Sequence, residues 1–234
     1  MKRIGILFAV FLAVAFASCD QASETMVNGK IDGMWIVPLV GTKYIYSFMN
    51  PGHQTLDTFI LIRSGQQIGE KSNVMTQYYT YSGDTSLYNI ESNGDFSLGD
   101  GEYAVDSLGN ILPNIIYTWQ TFPTGTRETL IAQPPVDSFD AAGDHFVSSN
   151  ERAFVDSENL TLQSGTFLTL HTRGTQIYDE TSVTDSLSTY TDTAFVDIWF
   201  APSIGLYVKW ISTEVESGKM VPEANIELIK YLPN

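Results

Sequence analysis

Residues 175–201 read TQIYDETSVTDSLSTYTDTAFVDIWFA, the longest stretch of the chain without glycine or proline. Its length and lack of breakers would permit a helix. Its composition is Thr, Ser, Val, Tyr and Asp, middling or poor helix formers, and its apolar side chains fall on no 3.6-residue stripe. The segment therefore predicts two long strands joined by a Ser/Thr/Asp turn near Asp185.

The flanking sequence carries the same signal. Tyr44, Tyr46 and Phe48 alternate with smaller side chains, and TFILI at 58–62 is apolar on both faces, which predicts a strand covered on both sides. VMTQYYTY at 74–81 is rich in aromatic and β-branched residues. Further strands are expected at 86–91, 127–132, 152–156, 166–173, 193–200, 206–213 and 226–232. Breakers punctuate them at short intervals: SNGD at 92–95, GDG at 99–101, LGN at 108–110, PP at 134–135 and APS at 201–203. Any helix is short and lies near 114–119. The expected fold is all-β, a single domain of antiparallel strands over 33–234, curled into a barrel, half-barrel or sandwich.

The N-terminus has a different character. Lys2 and Arg3 precede IGILFAVFLAVAF at 4–16, thirteen residues without a charge. At 1.5 Å rise such a run spans roughly 20 Å, short of the ~30 Å hydrocarbon core, which predicts a signal-peptide hydrophobic region and not a permanent anchor. Ala17 and Ser18 follow, and then Cys19, the only cysteine of the chain. Ala17-Ser18-Cys19 resembles the lipobox of bacterial lipoproteins, with Phe16 where leucine is usual. The resemblance implies a signal peptide over 1–18 and acylation of Cys19 by chains such as palmitate. Residues 19–32 would be the lipidated N-terminus and a flexible polar tether, since DQASETMVNGKID at 20–32 has no periodicity. The expected partner is then a membrane, held through the N-terminal acyl chains. Asp20 signals inner-membrane retention in enteric bacteria, a rule that does not extend to every bacterial group. The outer membrane is the expected location, with the periplasmic or surface side left open.

Composition excludes several classes of function. The chain has 27 acidic and 12 basic side chains, a formal charge of −15 and a pI near 4.3. Loss of residues 1–18 would remove Lys2 and Arg3 as well, leaving ten basic side chains. Such a chain lacks the basic footprint that nucleic acid requires. It is also repelled by anionic lipid heads, so acyl chains and not the protein surface must supply membrane attachment. One cysteine permits no internal disulfide and no thiolate cluster. With 43% apolar and 12% aromatic residues the chain can bury a core, so wholesale disorder is excluded.

Three segments taken together resemble a known group. They are PLVGTKY at 38–44, SGTF at 164–167, and WFAPSIGL at 199–206 ahead of a final strand IELIKY at 226–231. Their order resembles a broad group of secreted or lipid-anchored all-β proteins common in Bacteroidota. Ser164 stands where that group has a Pro-Ala approach, and Ile204 and Tyr207 where valine-type residues are commoner. The group has no established catalytic residues, so none carries over. In physical terms Pro202 cannot donate to a ladder and Gly205 can take positive φ, which makes the third segment a hairpin with Trp199 and Trp210 on its arms.

Few residues suggest chemistry. His53 lies in a PGHQ turn, His145 in an acidic loop, and His171 in a strand beside Thr169. No two fall within five residues, so metal-binding HxH and HExxH spacings are absent. His171 with a Ser or Asp from another strand could form a triad, yet no Gly-x-Ser-x-Gly elbow accompanies it, and all three histidines are expected to be surface or hydrogen-bonded groups. Asp95, Asp100 and Glu102 could turn oxygens toward one Ca²⁺, although their spacing fits no EF-hand and turn chemistry explains them equally. Tyr78, Tyr79, Tyr81, Tyr88, Trp35 and Trp119 could stack on sugars, but their period-two placement favours core packing. Asp-Ser/Thr-apolar triplets at Ser107, Ser186 and Thr193 resemble the O-glycosylation sequon of Bacteroidota envelope proteins. No cofactor is implied. The sequence thus points to a cell-envelope lipoprotein without enzymatic activity, a binding or assembly component with an envelope-protein or glycan partner. The alternatives are a carrier or sensor of an apolar ligand, and a glycan-binding or glycan-degrading partner of an uptake system.

Overall fold

The computed structural model describes residues 26–27, 30–31, 35–50, 52–100, 118–125, 130–132, 136–139, 145–181, 189–216 and 219–234. They belong to two units, 1–34 and 35–234. In the first, β1 (Met26–Val27) pairs with β2 (Lys30–Ile31) inside the segment expected to be an unstructured tether. A two-residue ladder has little stability of its own.

The second unit is all-β, and no helix occurs among its described residues. One meander comprises β3 (Lys43–Asn50), β4 (His53–Ile68), β5 (Lys71–Tyr79), β6 (Thr85–Ile90), β7 (Phe96–Asp100) and β8 (Thr118–Phe122). The other comprises β9 (Ile131–Ala132) and β10 (Val136–Phe139), both paired with β11 (His145–Leu162). It continues through β12 (Gly165–Thr181), β13 (Thr189–Ala201), β14 (Leu206–Glu216) and β15 (Lys219–Leu232). β15 returns antiparallel to β3, placing Tyr231 opposite Tyr44 and Ile226 opposite Phe48. The result is one antiparallel sheet running from β10 to β8, curled into a nearly closed barrel. At the seam β11 reaches β8 through side chains, where Arg152 Nη2 donates to Gln120 Oε1 at 2.9 Å.

Residues 175–201 are the predicted strand pair, β12 with β13, in register from Leu170↔Phe200 to Thr181↔Thr189. The turn near Asp185 lies outside the described residues. Three expectations need correction. Thr118 and Trp119 open a strand and not a helix, because Trp119 sits opposite Gly99 and packs on Ile68, Val74 and Leu87. The TFILI strand is covered on one face only: Phe59 and Leu61 are 3% and 0% exposed, Ile62 38%. A single curled sheet has a core on its concave side alone, so the opposite face of β4 stays open. Finally, His145 opens β11, opposite Phe139 and Thr181, where a loop was expected.

The concave face packs aromatic rings against one another. Phe96 lies 4.7 Å from Phe200 and 5.6 Å from Tyr88 between ring centroids, and Phe122 lies 5.2 Å from Phe200. A second group joins Tyr46, Phe59, Tyr79 and Tyr207 at 4.2–5.2 Å. Each such side chain, fully buried, contributes about 1.5–3 kcal/mol of transfer free energy. The tyrosine hydroxyls are placed with equal care: Tyr44 donates to Ile204 O at 2.8 Å and Tyr46 to Tyr207 O at 2.6 Å. Tyr88 is the exception, its buried hydroxyl having no hydrogen bond.

One end of this core is closed by the 202–205 turn. Ile204 N and Gly205 N both donate to Ala201 O at 3.1 Å, and Ile36 N donates to Pro202 O at 3.0 Å. Gly205 has φ +74°, and a Cβ there would lie 2.3 Å from Ile36 O. Only glycine fits, since both the backbone angle and the approach of residue 36 exclude a side chain.

Candidate functional site

Along β12–β15 the concave face continues beyond the aromatic core and opens to solvent. The register explains which residues meet there. Gln176 lies opposite Ala194, Tyr178 opposite Asp192, Val196 opposite Ser212, and Trp210 opposite Ile226. Because alternate strand residues share a face, these pairs form one surface. They enclose a groove of about 410 Å³. Its floor is Ala194, Val196, Trp210, Ala224 and Ile226, and its polar margin includes Asp192, Glu214 and Glu223.

Two local features shape the groove. Ser212 pairs with Ala224 but Thr213 with Pro222, so Glu223 is the extra residue of a β-bulge. The bulge turns Glu223 onto the same face as Ala224, where Ser212 Oγ donates to its Oε2. Trp210 is braced edge-on by Tyr207 and Phe122, at centroid distances of 5.8 and 6.4 Å. An indole held this way is a rigid floor. Asp192 Oδ1 accepts from Thr193 N at 2.7 Å.

Arg152 belongs to the same concave row, opposite Gly174, which is in turn opposite Val196. It is 4% exposed, its guanidinium lies 4.2 Å from the Phe122 centroid, and its Nε has no hydrogen-bond partner. Burial lowers its pKa to about 10. The side chain crosses bare Gly174, where a Cβ would meet Arg152 Cγ at 2.9 Å.

Of the candidate site residues read from the sequence, none of those among the described residues lines the groove, although Thr193 lies between Asp192 and Ala194, which do. Asp95 is buried beside β7, and its carboxylate accepts from Asn93 Nδ2 and from Gly125 N, both at 2.8 Å. Asp100 ends β7, separated from Asp95 by the strand, while Glu102 lies outside the described residues, as do Ser107, Ser186 and Cys19. Thr193 is in mid-strand opposite Ile177, on the face away from the groove. Of the aromatic residues considered as sugar platforms, Tyr88, Tyr79, Trp35 and Trp119 pack inward, whereas Tyr81 is 74% exposed at a turn. His53 is exposed at the start of β4. His171 does meet aspartate from other strands, Asp197 at 2.7 Å and Asp156 at 3.4 Å. Sequence reasoning missed the groove because its lining comes two or three residues at a time from four strands.

No family model and no curated protein matches the sequence. Solved structures do match the fold. A candidate lipoprotein of Parabacteroides distasonis superposes with a TM-score of 0.56 at 15% identity, covering 86% of this chain and 100% of that one. A candidate exported protein with a YmcC-like fold from Bacteroides fragilis gives 0.46 at 14% identity, covering 86% and 99%. The first likeness establishes that the curled sheet is a fold already seen in an experimental structure.

Proposed function

We propose that this chain is a lipid-anchored envelope protein that binds a hydroxyl-rich, glycan-type ligand in the β12–β15 groove and leaves it chemically unchanged. The observation that carries the proposal is the pairing of a braced indole, Trp210, with Asp192, Glu214 and Glu223 around one open groove. A pyranose offers an apolar C–H face to an aromatic ring and hydroxyl donors to carboxylates, which accept hydrogen bonds in two directions. The groove's volume lies within the range of small-ligand sites. A fatty acid or lipid chain would lie beside three carboxylates and Ser212 in place of a continuous apolar lining, which disfavours the apolar-carrier alternative. The signal region ending at Cys19 supports anchoring, and the Parabacteroides neighbour, described as a candidate lipoprotein, supports an envelope location.

The test is a glycan array with the processed chain, followed by calorimetry on any hit and an unbiased hydrolysis screen. Expected are saturable binding without turnover and at least a roughly tenfold loss of affinity in Glu214→Gln/Glu223→Gln, variants that leave the core intact. Absence of any glycan ligand, or turnover of one, refutes the proposal. Whole-protein mass spectrometry of the cell-derived chain should find it acylated at Cys19; an unmodified N-terminus elsewhere removes the anchor.

A further inference from the structure

On the opposite face of the sheet from the groove, one transverse row holds Asp156, His171, Trp199, Lys209 and Glu227, each directly opposite the next on β11 to β15. Phe154 pairs with Thr172 and Asp156 with His171, so a bulge at Val155 is what brings Asp156 opposite the imidazole. Glu158 lies two residues further along β11 and reaches the same place. One ligand atom from each of Asp156, Glu158 and His171 lies within 4.8 Å of the others.

The surroundings hold these groups in position. His171 is 6% exposed, and its ring lies parallel to the Trp199 indole, 4.3 Å away with 6° between planes. Its Nε2 meets Asp197 Oδ1 at 2.7 Å, and the same oxygen accepts from Arg173 Nε at 2.8 Å. Trp199 Nε1 donates to Glu158 Oε1 at 2.6 Å. A carboxylate on one imidazole nitrogen orients the ring and fixes the proton there, which is the support a metal-ligating histidine receives. With Asp197 accepting from Nε2–H, Nδ1 is the ring nitrogen that faces Asp156 Oδ1, at 3.4 Å. The lone pair of a neutral imidazole and two carboxylates converging on one point repel each other. A cation among them removes the repulsion, and ligand atoms on a tetrahedral ion with bonds near 2.1 Å stand roughly 3.4 Å apart.

We infer that Asp156, Glu158 and His171 Nδ1 form a site for a borderline divalent cation of the Zn²⁺ type. One imidazole with two carboxylates suits Zn²⁺ and its first-row neighbours, whereas Ca²⁺ and Mg²⁺ take all-oxygen shells. Asp197 is a positioning residue, acting through Nε2, and Trp199 positions both the ring and Glu158. Asp156 and Glu158 are exposed, so the site is open to solvent. The bound ion would clip β11 to β12 across the bulge.

The experiment uses the processed chain, stripped with chelator and titrated with Zn²⁺ alone. Bound metal is read by native mass spectrometry, the melting midpoint is followed in parallel, and the His171 nitrogens are read by ¹⁵N NMR. Expected are one ion per chain, a raised midpoint, and loss of the Nδ1 lone-pair signal on binding. Affinity should fall at least about tenfold in Asp156→Asn/Glu158→Gln and in His171→Gln, and by a smaller factor in Asp197→Asn. The double carboxylate variant keeps the test decisive if His171→Gln fails to fold. Three results overturn the inference: no stoichiometric Zn²⁺, equal binding by the carboxylate variant, or an imidazole carrying two protons that Zn²⁺ does not displace.

Discussion

Raising the pH above 10 should unfold this protein over a narrow interval, for a reason set by the tyrosines on the concave face. Tyr44, Tyr46, Tyr88 and Tyr207 are at most 7% exposed, and burial pushes each hydroxyl well above its ordinary pKa of 10. In the unfolded chain these four ionise near pH 10; in the native state they stay protonated. Their native pKa values are raised, so their contribution is complete below pH 10 and is lost as pH climbs. Arg152 has the opposite sign. Its native pKa of about 10 lies below its unfolded value, so between those limits the unfolded state binds one proton more than the native state. Each proton of difference changes stability by about 1.4 kcal/mol per pH unit. Four tyrosines against one arginine leave a net loss of about 4 kcal/mol per pH unit above pH 10. A domain with about 5–15 kcal/mol of total stability should therefore unfold within roughly one to four pH units. The assay follows backbone circular dichroism and phenolate absorbance in one alkaline titration. The four buried phenols should ionise together with loss of the sheet. Arg152→Met should steepen the transition by one proton, and Tyr88→Phe should make it shallower by one. Ionisation of these phenols near pH 10 with the sheet intact would refute the argument, as would an unchanged slope in both variants.

Tyr88→Phe should also raise stability at neutral pH, by about 1 kcal/mol, because it removes a buried hydroxyl that makes no hydrogen bond; thermal unfolding measures the gain. Gly205→Ala should cost on the order of 3 kcal/mol, since the new Cβ takes a left-handed conformation and meets Ile36 O; an unaltered melting midpoint would show that the 35–38 segment gives way freely.

The sheet was legible because its signal is local. Residues 175–201 exclude a helix by composition, and Tyr44 and Tyr46 declare their face by alternation. TFILI misled because a sequence can show that both sides of a strand are apolar but not whether a second layer covers them. β11 extends well past the expected 152–156 at both ends, since ladder hydrogen bonds to β12 hold polar residues such as Ser148, Ser149 and Asn159 in strand geometry that propensity alone disfavours. The sites depend on register. The Asp156–His171 contact requires the Val155 bulge, and Glu223 faces the groove only because of the bulge in β15. One extra residue in either strand reverses the facing of everything beyond it, and no residue type marks where it falls. Trp210 was visible as a hairpin aromatic, but not as the floor of a groove.

The pairing of β15 with β3 has a consequence for how the chain is made. Elsewhere along the strand order from β10 to β8, each adjacent pair joins strands consecutive in the chain. The β3 edge opposite β4 gains its partner only from the last strand of the chain. During synthesis, which makes the N-terminal strands first, β3 has one row of amide and carbonyl groups unsatisfied until β15 has emerged. Closing so long a loop is slow, and truncation at the C-terminus would expose the same edge permanently. The growing chain is thus most vulnerable to mispairing along this edge in the interval before β15 forms.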